Sequence, residues 1–123
     1  MFDLNFTSNV LGPKAVRRLG QRAITQTIRS ESDPIVKAVK AQKLEYTSLG
    51  GKSLINIHLD GEEIGKAMLR GVEAISWPEL ELSDADHGGF DHIVDLRQAL
   101  IRAGFRFQPL AEYHLYRIKF GWL

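Results

Sequence analysis

The sequence predicts one small α+β domain over residues 1–123, built from an N-terminal helical pair, a central antiparallel β-hairpin, one or two further helices and a C-terminal β-hairpin. Three observations carry this expectation. A length of 123 residues with 44% apolar and 25% charged side chains is the balance of a single globular core. Gly50-Gly51 stands between two alternating segments, as a tight hairpin requires. From Phe90 onward, apolar residues recur at helical spacing up to Gly104.

Taken in order, Phe2 to Phe6 alternates apolar and polar residues and predicts a short edge strand or an extended arm. After Gly12-Pro13, the residues Val16, Leu19, Ala23, Thr27 and Ile28 share one helical face, so a first helix is expected over 13–30. Ser32 or Asp33 can accept the free amides of a second helix, 34–42, for which Pro34 is already set at the first position. Around Gly50-Gly51, residues 44–49 should pair with 52–59. Counting outward sets Tyr46 against Ile55 and Leu44 against Ile57, which collects the apolar residues on one face.

A third helix is expected over 61–74, with Glu62 and Glu63 at its amide-rich start and Ile64, Met68 and Ile75 turned inward. The rival reading makes Asp60-Gly61 a second tight hairpin turn. Pro78 stops any helix, Leu80 to Leu82 suggests a short strand, and residues 83–89 form a polar loop. A helix over 90–103 follows, closed by Gly104 in the left-handed conformation. The tail reads as strands over 105–108 and 113–122, with Tyr116, Ile118, Phe120 and Trp122 on one side of the second.

The absence of cysteine removes disulfides, thiolate metal ligands and cysteine nucleophiles, and fits a reducing compartment. No apolar run reaches the roughly 18 residues of a membrane span. The expected address is therefore the cytoplasm or an assembly formed there, with no membrane partner.

A net charge of +1 hides strong segregation. Residues 1–43 hold eight Lys/Arg against three Asp/Glu, residues 44–95 three against eleven, and residues 96–123 five against one. Such blocks either pack against one another or present complementary patches to a partner. The chosen function is a non-enzymatic protein-interaction module, either a subunit of a larger assembly such as a virion or secretion apparatus, or a small inhibitor or immunity-type binder. Its partner is another protein or a second copy. The residues assigned to contact it are Arg17, Arg18, Arg22 and Arg29 on the basic helix, and Tyr113, Tyr116, Phe120 and Trp122 on the aromatic terminal strand.

Nucleic acid is the alternative partner, since the same arginines could neutralise phosphates. A third alternative is a metal-dependent hydrolase using loop 84–95, where Asp84, Asp86, His87 and Asp91 crowd together. Their spacing matches no ligand motif, and acidic residues before a helix suit its free amides, so no metal and no cofactor are expected. His58 could meet His114 or the acidic loop as a base and carboxylate pair. Gly61 to Lys66 lacks the spacing of a phosphate-binding loop, and no catalytic residue is assigned.

Overall fold

The computed structural model describes residues 2–41, 54–106 and 115–123. The chain forms a mixed α+β domain whose elements run β1 (Phe2–Phe6), α1 (Ser8–Leu11), α2 (Pro13–Gly20), β2 (Gln26–Ser30), α3 (Pro34–Ala41), β3 (Leu54–Leu59), β4 (Glu62–Ile75), a 3-10 turn (Trp77–Glu79), α4 (Leu82–His87), α5 (Ile93–Arg102) and β5 (Leu115–Trp122). One five-stranded sheet has the order β1-β3-β4-β5-β2. Among the described strands, the single parallel pair is β1 with β3.

Strand alternation sorts the side chains into two cores. Leu69, Val72 and Ala74 of β4 share a face with Phe120, Ile118 and Tyr116 of β5. Ala15 and Leu19 of α2 and Ile35, Val36 and Val39 of α3 close the larger cluster, which also takes in Phe2, Leu4 and Phe6. The opposite face presents Ile28, Ile75 and Leu115 to Trp77, Leu80, Leu96 and Leu100, which make the second cluster. A bulge between Leu69 and Gly71 keeps the apolar residues of β4 in phase with β5 and leaves Arg70 as the extra residue.

Several sequence expectations change here. The predicted first helix stops at Gly20, and Gln26–Ser30 is strand β2. Arg22 takes φ 61, and beyond it Ile24, Gln26 and Ile28 are buried at a period of two rather than a helical period. The second helix stands as Pro34–Ala41. Residues 44–53 of the predicted hairpin lie outside the described part, but its register is excluded. Ile55 pairs with Phe2 and Ala67, and Ile57 with Leu4 and Gly65, so both edges of β3 are occupied.

The third helix is instead the long strand β4. The rival reading of Asp60-Gly61 is the correct one, because φ values of 51 and 86 at those residues make a tight turn returning β3 onto β4. Leu80 follows the 3-10 turn and Leu82 begins α4, so the 80–82 strand and the 83–89 loop are replaced by a short helix ahead of Gly88-Gly89. The 90–103 helix is trimmed to Ile93–Arg102, and Gly104 has the expected positive φ of 101. The C-terminal strand lies inside the sheet between β4 and β2, and these two leave no edge for the expected partner strand 105–108. Residues 107–114, including Tyr113 and His114, lie outside the described part.

Candidate functional site

The strand order places β1 and β2 at opposite edges, yet the sheet curls until they face each other. The Arg29 guanidinium of β2 lies 4.9 Å over the Phe6 ring of β1. Between these edges and α5 is a cavity of about 290 Å³. Its walls are mainly apolar and aromatic, from Phe6, Leu11, Ile28, Phe90, Leu96, Leu100 and Phe105. Asn5, Thr7, Thr27, Arg29, Ser30 and Asp33 add polar groups around it. A few polar groups aimed into an apolar cavity is the usual make-up of a ligand site.

Arg29 is the cation among the described residues lining this cavity, beside the carboxylates of Asp33 and Asp84. Its side chain is only 16% exposed. Nε donates to Thr27 Oγ1 at 3.2 Å and Nη1 to Asp33 Oδ2 at 3.2 Å. Burial pulls its proton affinity down, while the adjacent Asp33 carboxylate opposes that shift. The side chain of Asp33 is in turn anchored by the Ile35 N–H at the start of α3.

Asp84 lines the same cavity from α4 and is 2% exposed. It accepts from Arg117 Nε at 2.6 Å, Arg117 Nη2 at 2.8 Å, Gln26 Nε2 at 2.5 Å and the Glu81 N–H at 2.9 Å. Burial alone would push its carboxyl up, but these donors together hold it below the ordinary value. Arg117 reaches on to Glu73 at 2.9 Å. The cluster ties α4 to β2, β4 and β5 and so supports one wall of the cavity.

A second ionic cluster joins α2 to the chain ahead of α5. Asp91 accepts from Lys14 Nζ at 2.6 Å and Arg18 Nη2 at 2.6 Å. Arg18 also donates to the Gly89 carbonyl at 3.0 Å. Lys14, then Arg18, lowers the Asp91 carboxyl to about 2. The sign follows from this depression: the stabilisation is complete above the ordinary value of 3.8 and is lost as pH falls toward 2. Thermal melts of the wild type and Asp91→Asn should therefore differ above pH 3.8 and converge as the pH approaches 2.

The four arginines predicted to form one basic helix are dispersed. Arg17 is exposed on α2, Arg18 is engaged by Asp91, Arg22 stacks 4.8 Å from the Trp122 ring, and Arg29 sits on a strand inside the cavity. The aromatic strand is equally divided. Phe120 is buried in the larger core, and the Trp122 indole N–H donates to the Ile24 carbonyl at 2.7 Å. Tyr116 is half-buried beneath Lys40, whose Nζ lies 4.6 Å from its ring. On this strand the chain buries Phe120, while Tyr116 and Trp122 stay partly exposed. Ion pairs from Lys14, Arg18 and Arg117 to Asp91, Asp84 and Glu73 show the basic ends packing on the acidic middle.

The metal candidates do not converge. Asp84 is saturated by its donors, Asp91 is held by Lys14 and Arg18, and Asp86 and His87 are exposed. Among the described residues no three His, Cys, Asp or Glu side chains are grouped to hold an ion. His58 Nε2 meets Asp3 Oδ1 at 3.0 Å across β1 and β3, not the acidic loop. No described helix is long and apolar enough to cross a membrane. Phe6 and Asp33 were not singled out from sequence as site residues. The alternation of β1 signalled that Phe6 is buried, but not that it faces Arg29.

No protein-family model matches the sequence, and no curated protein matches it. Among solved structures, the chain is similar to an Enterococcus faecalis V583 protein of the family model DUF984, at 18% identity and TM-score 0.51, over 86% of this chain and 67% of that one. It is also similar to an ASCH domain from Lactobacillus crispatus JV V101, at 11% identity and TM-score 0.58, over 98% of this chain and 79% of that one. At these identities the likeness is one of fold.

Proposed function

We propose that the chain binds single-stranded RNA and seats one base in the cavity between β1 and β2. The observation that carries this reading is the half-buried Arg29 guanidinium lying over Phe6 beside an aromatic-lined cavity. A flat heteroaromatic ring can stack on Phe90 or Phe105, while its edge meets the polar groups of Arg29, Thr27 and Asn5. The volume suits a single base rather than a large ligand. Stacking tolerates many sequences, whereas the Arg29 and Asp33 pair offers a donor and an acceptor that discriminate base edges.

The test is fluorescence anisotropy with a labelled single-stranded RNA at about 50 mM salt, where phosphate contacts are strong. Phe105→Leu keeps apolar volume but removes a stacking face, and Arg29→Ala removes the guanidinium. Each is expected to weaken binding by about 10-fold, the scale of one lost base stack. Unchanged affinity in both variants, or no binding by the wild type, would reject the reading.

Protein contact is the second reading, favoured by a different face. Val94 and Ile101, 54% and 57% exposed, lie two turns apart on one side of α5.

A further inference from the structure

We propose that a second cavity, which shares Asp84 with the aromatic one, is a phosphate-binding site centred on Arg70 and Lys119. This cavity, of about 380 Å³, is lined by Arg70, Lys119, His87 and Ser83 together with Asp84 and Arg117.

Its cations are positioned by the backbone. Arg70 is the extra residue of the β4 bulge, and a bulge re-aims the side chain it carries. The guanidinium lies across Gly121, where an added Cβ would stand 2.9 Å from Nε and 3.0 Å from Nη2. A glycine at this point of β5 therefore provides the space the guanidinium occupies. Lys119 stands two residues earlier on the same strand, opposite Gly71. Neither cation has a hydrogen bond or ion pair among the described residues.

Among the described lining residues, Arg70, Arg117 and Lys119 face the carboxylates Asp84 and Glu81. Asp84 is matched by Arg117, which is shared with Glu73. Glu81 is the remaining acid on the lining and accepts from Ser83 Oγ at 3.4 Å. The described lining thus carries a net charge of +1, and Glu73 beyond it also draws on Arg117, so an anion is attracted by the two unpaired cations rather than by a large charge excess. A guanidinium fork beside a lysine point charge, with the His87 imidazole on the same lining, offers several donors, which suits a tetrahedral phosphate better than a planar carboxylate.

The site is tested by titrating the full chain with inorganic phosphate and following backbone amide shifts by NMR. Saturable shifts are expected at Arg70, His87 and Lys119, and they should vanish in Arg70→Ala/Lys119→Ala. Gly121→Ala retains both charges but displaces the guanidinium, and is expected to weaken phosphate binding by about 10-fold, the scale of one charge-assisted hydrogen bond. Absent shifts, or shifts unchanged in the double variant, would overturn the proposal. This titration does not use RNA, so it is decided separately from the aromatic cavity.

A second arm identifies the source of the phosphate. If the double variant lowers the salt slope of RNA binding by about 1–2, a nucleic-acid backbone supplies it. If phosphate binding is lost while RNA binding is unchanged or absent in wild type and variant alike, the ligand is a small phosphoester. Either result supports the site.

Discussion

Replacing Asp84 with Ala is expected to cost the fold about 3–5 kcal/mol, because the change strands a buried arginine. Arg117 is 12% exposed and makes two of its hydrogen bonds to that carboxylate. Glu73, 57% exposed, offers one solvated contact in exchange. Gln26, itself buried, loses its acceptor at the same time. Urea unfolding at neutral pH measures the loss. The double change Asp84→Leu/Arg117→Met should recover much of it, since an apolar pair leaves no unpaired charge. A double variant as unstable as Asp84→Ala would show that packing volume, not charge pairing, sets the effect.

Gly89→Ala is expected to destabilise by about 2–4 kcal/mol, combining left-handed backbone strain with overpacking. Gly89 has φ 92, and a Cβ there would stand 2.7 Å from Ile24 Cδ1 and 2.9 Å from its Cγ1. Ile24 is fully buried, so its side chain has little room to retreat. Gly104→Ala is the control, with φ 101 but nothing within 4 Å of the added carbon. Thermal or urea unfolding of the two variants separates the terms: Gly104→Ala should show the backbone cost alone. Equal losses at both sites would mean that the Ile24 contact adds nothing.

These two positions show how unevenly the sequence could be read. Gly88 and Gly89 fall at the end of the predicted 83–89 loop, where a glycine pair marks a bend that other residues avoid. Asp84 was visible only as one acid in a polar run, which pointed toward a loop before a helix, with a metal site as the disfavoured alternative. Its partner is 33 residues away on β5, and no local pattern links the two. Arg29 was placed among the site residues for its charge, but on a helix. The short period from Ile24 to Ile28 was masked by an apolar spacing that also fits a helix, and pairing with β5 decided between them. The same competition governed Glu62–Ile75, where β3 and β5 supply hydrogen-bond partners on both sides.

What the sequence alone determined was local: the α+β class, a helix from 34, a helix within 90–103, the positive φ at Gly104, and the absence of thiol chemistry. Each follows from the conformational range of one residue or the periodicity of a few neighbours. Tertiary structure alone decided which strands pair, that the two sheet edges meet around Arg29 and Phe6, and that Arg70 and Lys119 share a cavity. Those outcomes depend on contacts between residues distant in the chain, whose energies are set by burial and pairing rather than by local preference.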